Sequence, residues 1–147
     1  MSLSDLKNRY FQFENIANKF EDLSLLFIRL ILAYGFYDPA IMKWSDIDSV
    51  ASWFGSIGIP LPTLNAYMAA STEMIGVILL ALGLFTRVIA IPLVFVMIVA
   101  ISTVHLSNGF SCGSNGFEIP LYYMIFLFLL ITKGAGKYSL DNSILKK

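Results

Sequence analysis

Two ionisable side chains stand where few are tolerated. Arg29 interrupts the apolar run from Leu23 to Tyr37, and Glu73 interrupts the longer one from Thr63 to Phe85. A charge inside a hydrocarbon-length helix costs roughly 3 kcal/mol or more, so such a residue normally faces neighbouring helices and has a partner. Ala69, Glu73, Gly76, Leu80 and Gly83 recur at steps of three and four. That spacing turns Glu73 toward a face of small residues that a second helix can approach closely. At the helical rise, Arg29 lies about 9 Å inside its run and Glu73 about 18 Å from the C-terminal end of its own. The long arginine arm makes a buried Arg29–Glu73 ion pair the expected pairing, either to specify which helices meet or to serve function.

A second polar group is expected at the other end of the chain's apolar runs. His105 lies about 26 Å up the run from Val88 to Leu106, by the same rise. Glu118 precedes the run from Ile119 to Thr132, and Lys43 follows the first run. Together Lys43, His105 and Glu118 are candidates for an outer polar pocket. Histidine carries protons or ligates metals, although near a helix end it more often makes an interfacial hydrogen bond. His105, Cys112 and Glu118 offer donors for a borderline metal, but their spacing matches no metal motif, and no metal site is expected. Arg87, in the short connection between the second and third runs, belongs to the opposite side.

Other chemistry has no visible carrier. There is no Cys-x-x-Cys, no pair of histidines on a helix face and no glycine-rich phosphate loop, so catalytic residues stay unassigned and no flavin or nucleotide site is expected. A quinone needs only an apolar, aromatic-lined slot with one or two polar contacts, which leaves a quinone site open. Tyr34, Tyr67, Tyr122 and Tyr123 would line such a slot or serve as ordinary packing.

The elements that must hold these residues follow from composition. Of 147 residues, 57% are apolar and 14% charged, with mean hydropathy +0.74. Too few charges remain to cover a soluble domain of this size, and disorder needs the opposite composition. Ten basic and ten acidic residues cancel, so there is no basic field for nucleic acid. One cysteine excludes a disulfide framework. The four apolar runs predict an all-α bundle of four transmembrane helices. The first and fourth are short between charges and would borrow flanking residues, through Ile41 and Met42 or through Gly134 and Ala135. Pro92, near the start of the third, is expected in a first helical turn, where its missing N–H is harmless.

Eight basic residues (Lys7, Arg9, Lys19, Arg87, Lys133, Lys137, Lys146 and Lys147) fall on the side of the two termini and only Lys43 on the other. The positive-inside rule then makes both termini cytoplasmic. Residues 1 to 22 lack the apolar core of a signal peptide near Met1. Residues 5 to 20 read either as an interfacial helix with its aromatics toward the acyl chains or as a polar extension of the first span. Residues 49 to 57 read as a short surface helix, and 107 to 118, with Asn-Gly twice, as a turn-rich loop. Residues 23 to 147 form one membrane domain.

The ordered stretches carry a resemblance. Ala33-Tyr-Gly-Phe-Tyr-Asp-Pro-Ala-Ile-Met-Lys-Trp44 follows Arg29. Then come Gly58-Ile-Pro-Leu-Pro, Asn65 to Glu73, Gly83-Leu-Phe-Thr-Arg87, Val104-His105, Asn115-Gly-Phe-Glu118 and Gly134 to Asp141. Over residues 23 to 141 the chain resembles the DoxX family of small four-helix proteins of the bacterial inner membrane. The resemblance implies that Arg29, Lys43, Glu73, Arg87, His105 and Glu118 are the characteristic polar positions, with Cys112 not among them. It also implies a place beside membrane oxidoreductases. The family is named for a subunit of a thiosulfate:quinone oxidoreductase, and members are linked to thiol or oxidative stress. The subgroup with this Tyr-Gly-Phe-Tyr stretch is often encoded beside metal-stress peptides. The resulting expectation is an accessory subunit of a quinone-linked complex, in contact with lipid and with other subunits or a copy of itself. The alternatives are a binding or transport protein for a metal-stress peptide or a small hydrophobic ligand, and a scaffold without a ligand.

Overall fold

The computed structural model describes residues 3–144 and contains no strand among them. Lys146 and Lys147, counted in the charge asymmetry, lie outside these residues. The helices are α1 (Leu3–Asn18), α2 (Glu21–Ser45), α3 (Ile47–Ser56), α4 (Pro62–Leu82), α5 (Thr86–Ala100), α6 (Glu118–Lys133) and α7 (Leu140–Ile144). Three are long and apolar enough to cross a membrane: α2, α4, and α5 with its continuation to Asn108. The 16 residues of α6 rise only about 24 Å.

The first apolar run is shorter than the helix it becomes. α2 continues through Asp38 and Pro39 to Ser45, although Pro39 withholds the N–H that the Gly35 carbonyl would take. α3 starts slightly earlier than its apolar pattern, because Asp46 caps it. The Asp46 carboxylate accepts from the Ser49 hydroxyl at 2.6 Å and the Ser49 N–H at 3.1 Å. These two bonds hold its carboxyl below the usual carboxylate range.

Pro92 is not in a first turn. α5 begins at Thr86, two residues earlier than expected, because Asp141 of α7 caps it from a distance. Its carboxylate accepts the N–H of Phe85 at 2.7 Å and of Thr86 at 3.0 Å. This capping offsets the left-handed Phe85 backbone, at φ +47°, which is unfavourable for a residue with a Cβ. Proline therefore sits in the second turn and leaves a backbone carbonyl of the first without its usual donor. At its far end α5 runs on as a π-turn over Ile101–His105 and a 3₁₀ turn over Leu106–Asn108. The wider turn rotates the residues after it relative to an uninterrupted α-helix.

α2, α4, α5 and α6 share one core that includes Leu32, Phe36, Leu80, Leu93, Leu127 and Leu130. The small-residue face of α4 is the buried one, with Ala66, Ala70, Glu73, Gly76 and Leu80 inside. A Cβ on Gly76 would stand 2.9 Å from Leu93 Cδ1, so α5 is seated on bare backbone there. A smaller cluster sets Ala51 and Phe54 of α3 on Ala66 of α4. α1 buries nothing. A turn at Lys19 and Phe20 separates it from α2, so it is a helix of its own, with Tyr10, Phe11, Phe13, Ile16 and Phe20 exposed.

Candidate functional site

Arg29 and Glu73 are both buried, at 0% and 3% exposure, but they do not pair, which corrects the expected ion pair. Arg29 turns toward the end of the bundle that carries the chain's terminal segments. Its Nη1 donates to the Leu80 carbonyl at 2.9 Å and Nε to that of Ala135 at 3.1 Å. The Tyr138 carbonyl accepts from Nη2, and that of Ala81 receives a longer bond at 3.4 Å. The reason is local. The last carbonyls of a helix lack intrahelical donors and carry partial negative charge, and those of α4 lie within reach. Gly83 makes the room, since a Cβ there would come 2.4 Å from Nη1.

Glu73 finds its partner on the same helix as Arg29, but near the other end. Lys43 Nζ lies 2.8 Å from Glu73 Oε2 and 3.1 Å from Oε1. Beside it, Trp44 Nε1 donates to the Ala70 carbonyl at 3.2 Å, tying the end of α2 to the middle of α4. Lys43 is 15% exposed. Its opening is a cavity of about 520 Å³ between the loop-side halves of α2, α3, α4 and α5 and the start of α6. Phe36, Trp53, Phe54, Met68, Phe95 and Tyr123 supply much of an apolar wall in which Lys43, Glu73 and His105 are set.

His105 lines the same cavity. Its Nδ1 is 2.8 Å from the Asn115 carbonyl, a contact that requires a proton on Nδ1 and leaves Nε2 as an acceptor in the neutral ring. The π-turn brings His105 to this loop. Glu118 does not join them, which corrects the expected outer pocket. Its carboxylate accepts the Cys112 N–H at 2.9 Å and the Tyr122 hydroxyl at 3.2 Å, so it closes the 109–118 loop over its own helix start. Of the four tyrosines, Tyr123 lines the cavity and lies against the Phe36 ring at 5.5 Å. Tyr34 is exposed, Tyr67 meets Trp44 edge-on, and Tyr122 serves Glu118. No three His, Cys, Asp or Glu residues among those described gather as metal ligands.

Two roles are hidden from the sequence patterns. Asp38 and Pro39 make Lys43 look like part of a connection, whereas it belongs to the last turn of α2. Asp141 ends the glycine-containing Gly134 to Asp141 stretch, but an acid 54 residues after Arg87 carries no spacing signal for a cap.

Apolar helices enclosing a buried ion pair and a largely apolar cavity define a membrane protein with a ligand-sized cavity. The chain belongs to the DoxX family, whose model matches residues 24–106. A Haemophilus influenzae protein described only as uncharacterized is 36% identical over 132 residues, covering 84% of this chain and 85% of its own. A Bacillus subtilis protein named "Putative oxidoreductase CatD" is 32% identical over 129 residues, covering 88% and 92%. The "Inner membrane protein YphA" of Escherichia coli is 31% identical over 140 residues, covering 91% and 96%. No solved structure gives a significant match.

Proposed function

We propose that this protein is an accessory subunit of a membrane oxidoreductase and binds a small amphiphile of the quinone class in the loop-side cavity. The observation that carries this reading is the Lys43–Glu73 pair set in the wall of an apolar space of about 520 Å³. Ligand sites for small molecules are of this size and kind, mostly apolar with a few convergent polar groups. Glu73 takes two of the Lys43 N–H groups, and the third makes only a long 3.5 Å contact with the Pro39 carbonyl, which a ligand's carbonyl oxygen can replace. His105 Nε2 is an acceptor for a hydroxyl. A quinone head presents carbonyl acceptors, and its reduced form presents hydroxyl donors, so both forms find a partner. The chain supplies binding and proton-holding groups, while electrons come from another subunit. The name of the B. subtilis relative fits this reading.

In this reading the bundle has four spans, with α6 as the fourth, and both termini on the cytoplasmic side of the inner membrane. Lys7, Arg9, Lys19, Arg87, Lys133 and Lys137 against a single Lys43 support the orientation, and the name of the E. coli relative supports the location.

The test is titration of the detergent-solubilised protein with short-tailed ubiquinone and menaquinone analogues. Trp53, in the cavity wall, is the reporter. Quenching is expected to saturate in wild type, to fall to the Trp44 contribution in Trp53→Phe, and to need at least about tenfold more quinone in Lys43→Met, one hydrogen bond to a charged group. Absence of saturable quenching removes the quinone reading. Unchanged quinone-coupled electron transfer in membranes lacking the protein removes the subunit reading.

A further inference from the structure

A second depression, of about 490 Å³, lies at the end of the bundle away from the ion pair, between the start of α2, the α4–α5 turn and the α6–α7 link. Three cations line it: Arg87, Lys133 and Lys137. Two are engaged, Lys133 with Glu21 at 2.8 Å and Lys137 with Asp22 at 3.2 Å. The acids are engaged as well. Asp141 holds the Phe85 and Thr86 N–H groups, and Asp22 also accepts the Lys137 N–H at 2.9 Å. The Arg87 side chain has no hydrogen bond or ion pair among the described residues. It is seated nonetheless. Its guanidinium lies against Gly134, where an added Cβ would be 3.1 Å from Nε and 3.3 Å from Nη2. Gly134 itself has φ +86°, a conformation that favours glycine.

We propose that Arg87 anchors a phosphate-binding site whose ligand is the headgroup phosphate of a membrane phospholipid. A guanidinium presents a planar fork of N–H donors that matches two phosphate oxygens. Here the fork lies against the Gly134 backbone and is left open, with two further cations beside it. Phe85 and Val88 flank it at 52% and 66% exposure. These apolar side chains next to the cation suit the first carbons of an acyl chain, and basic pockets between membrane helices are where anionic headgroups bind. A free phosphate shares the oxyanion chemistry but has no use for the apolar flank.

The experiment is native mass spectrometry of the full chain in mild detergent. It is titrated separately with phosphatidylglycerol, with diacylglycerol of the same chains, and with inorganic phosphate. Wild type is expected to hold one phosphatidylglycerol about tenfold more tightly than Arg87→Gln, the loss for a charge-assisted hydrogen bond. Arg87→Lys falls between, because an ammonium keeps the charge without the fork. Equal retention by wild type and Arg87→Gln overturns the proposal. So does equal binding of diacylglycerol and phosphatidylglycerol by wild type, a comparison that needs no variant to fold. Phosphate binding that depends on Arg87, without any preference for the phospholipid, overturns the lipid assignment and leaves a soluble phosphate as the ligand.

Discussion

Arg29 and Lys43 stand on one helix, 14 residues and about 21 Å apart, and meet opposite circumstances. Arg29 is wholly enclosed, and its hydrogen-bond partners are backbone carbonyls: Leu80, Ala81, Ala135 and Tyr138. Lys43 pairs with one carboxylate, adds a long 3.5 Å bond to the Pro39 carbonyl, and keeps one side toward a cavity. The first cation closes the fold, drawing the α6–α7 link over the ends of α2 and α4. The second holds charge at the edge of a space that a ligand can enter. A buried charge in a membrane helix therefore has no single meaning. What decides is whether the protein encloses it completely or leaves it one side toward a cavity.

Substitutions separate the two ends. Arg29→Met is expected to have the largest effect, a loss of about 4 kcal/mol or more, because several carbonyls are left buried without donors. The loss is read as a lowered melting temperature in detergent, and a stable Arg29→Met protein would end the contrast. At the other end, Lys43→Met or Glu73→Leu alone should cost about 2–4 kcal/mol by stranding the remaining charge, whereas the double variant should recover most of it. That recovery, with ligand binding still absent, would mark the pair as a site. A double variant as unstable as either single would make it a structural brace like Arg29.

Smaller effects sharpen the same division. Gly76→Leu should cost about 1–3 kcal/mol by overpacking against Leu93, with folding yield as the readout and both ends of the bundle affected. His105→Ala should cost only about 1 kcal/mol of stability, for one lost hydrogen bond, but should weaken quinone-analogue binding in the Trp53 quenching assay. A variant that loses stability without losing binding would move His105 from the cavity to the scaffold of the loop.

Much of the fold is legible in the residues. The four apolar runs each become a helix, since hydrocarbon length and the lack of polar faces leave few other structures. Glu73 is inward-facing because Gly76 and Leu80 share its face, and that follows from helical periodicity alone. The departures have a common cause in ends and partners. α2 passes Pro39 and Met42, as a span of membrane length required, and runs on to Ser45 because packing and the Lys43–Glu73 contact outweigh one missing hydrogen bond. α5 begins early because Asp141, remote in sequence, supplies its cap.

The chain's own order of residues determined that it is helical, lipid-facing and carries two charges too costly to leave unpartnered. Which partner each charge meets was decided only when the helices were set side by side. A rise per residue measures distance along one helix, while pairing depends on the offset between two. At that offset the C-terminal carbonyls of α4 take Arg29, and Lys43, arriving in the last turn of α2, takes Glu73.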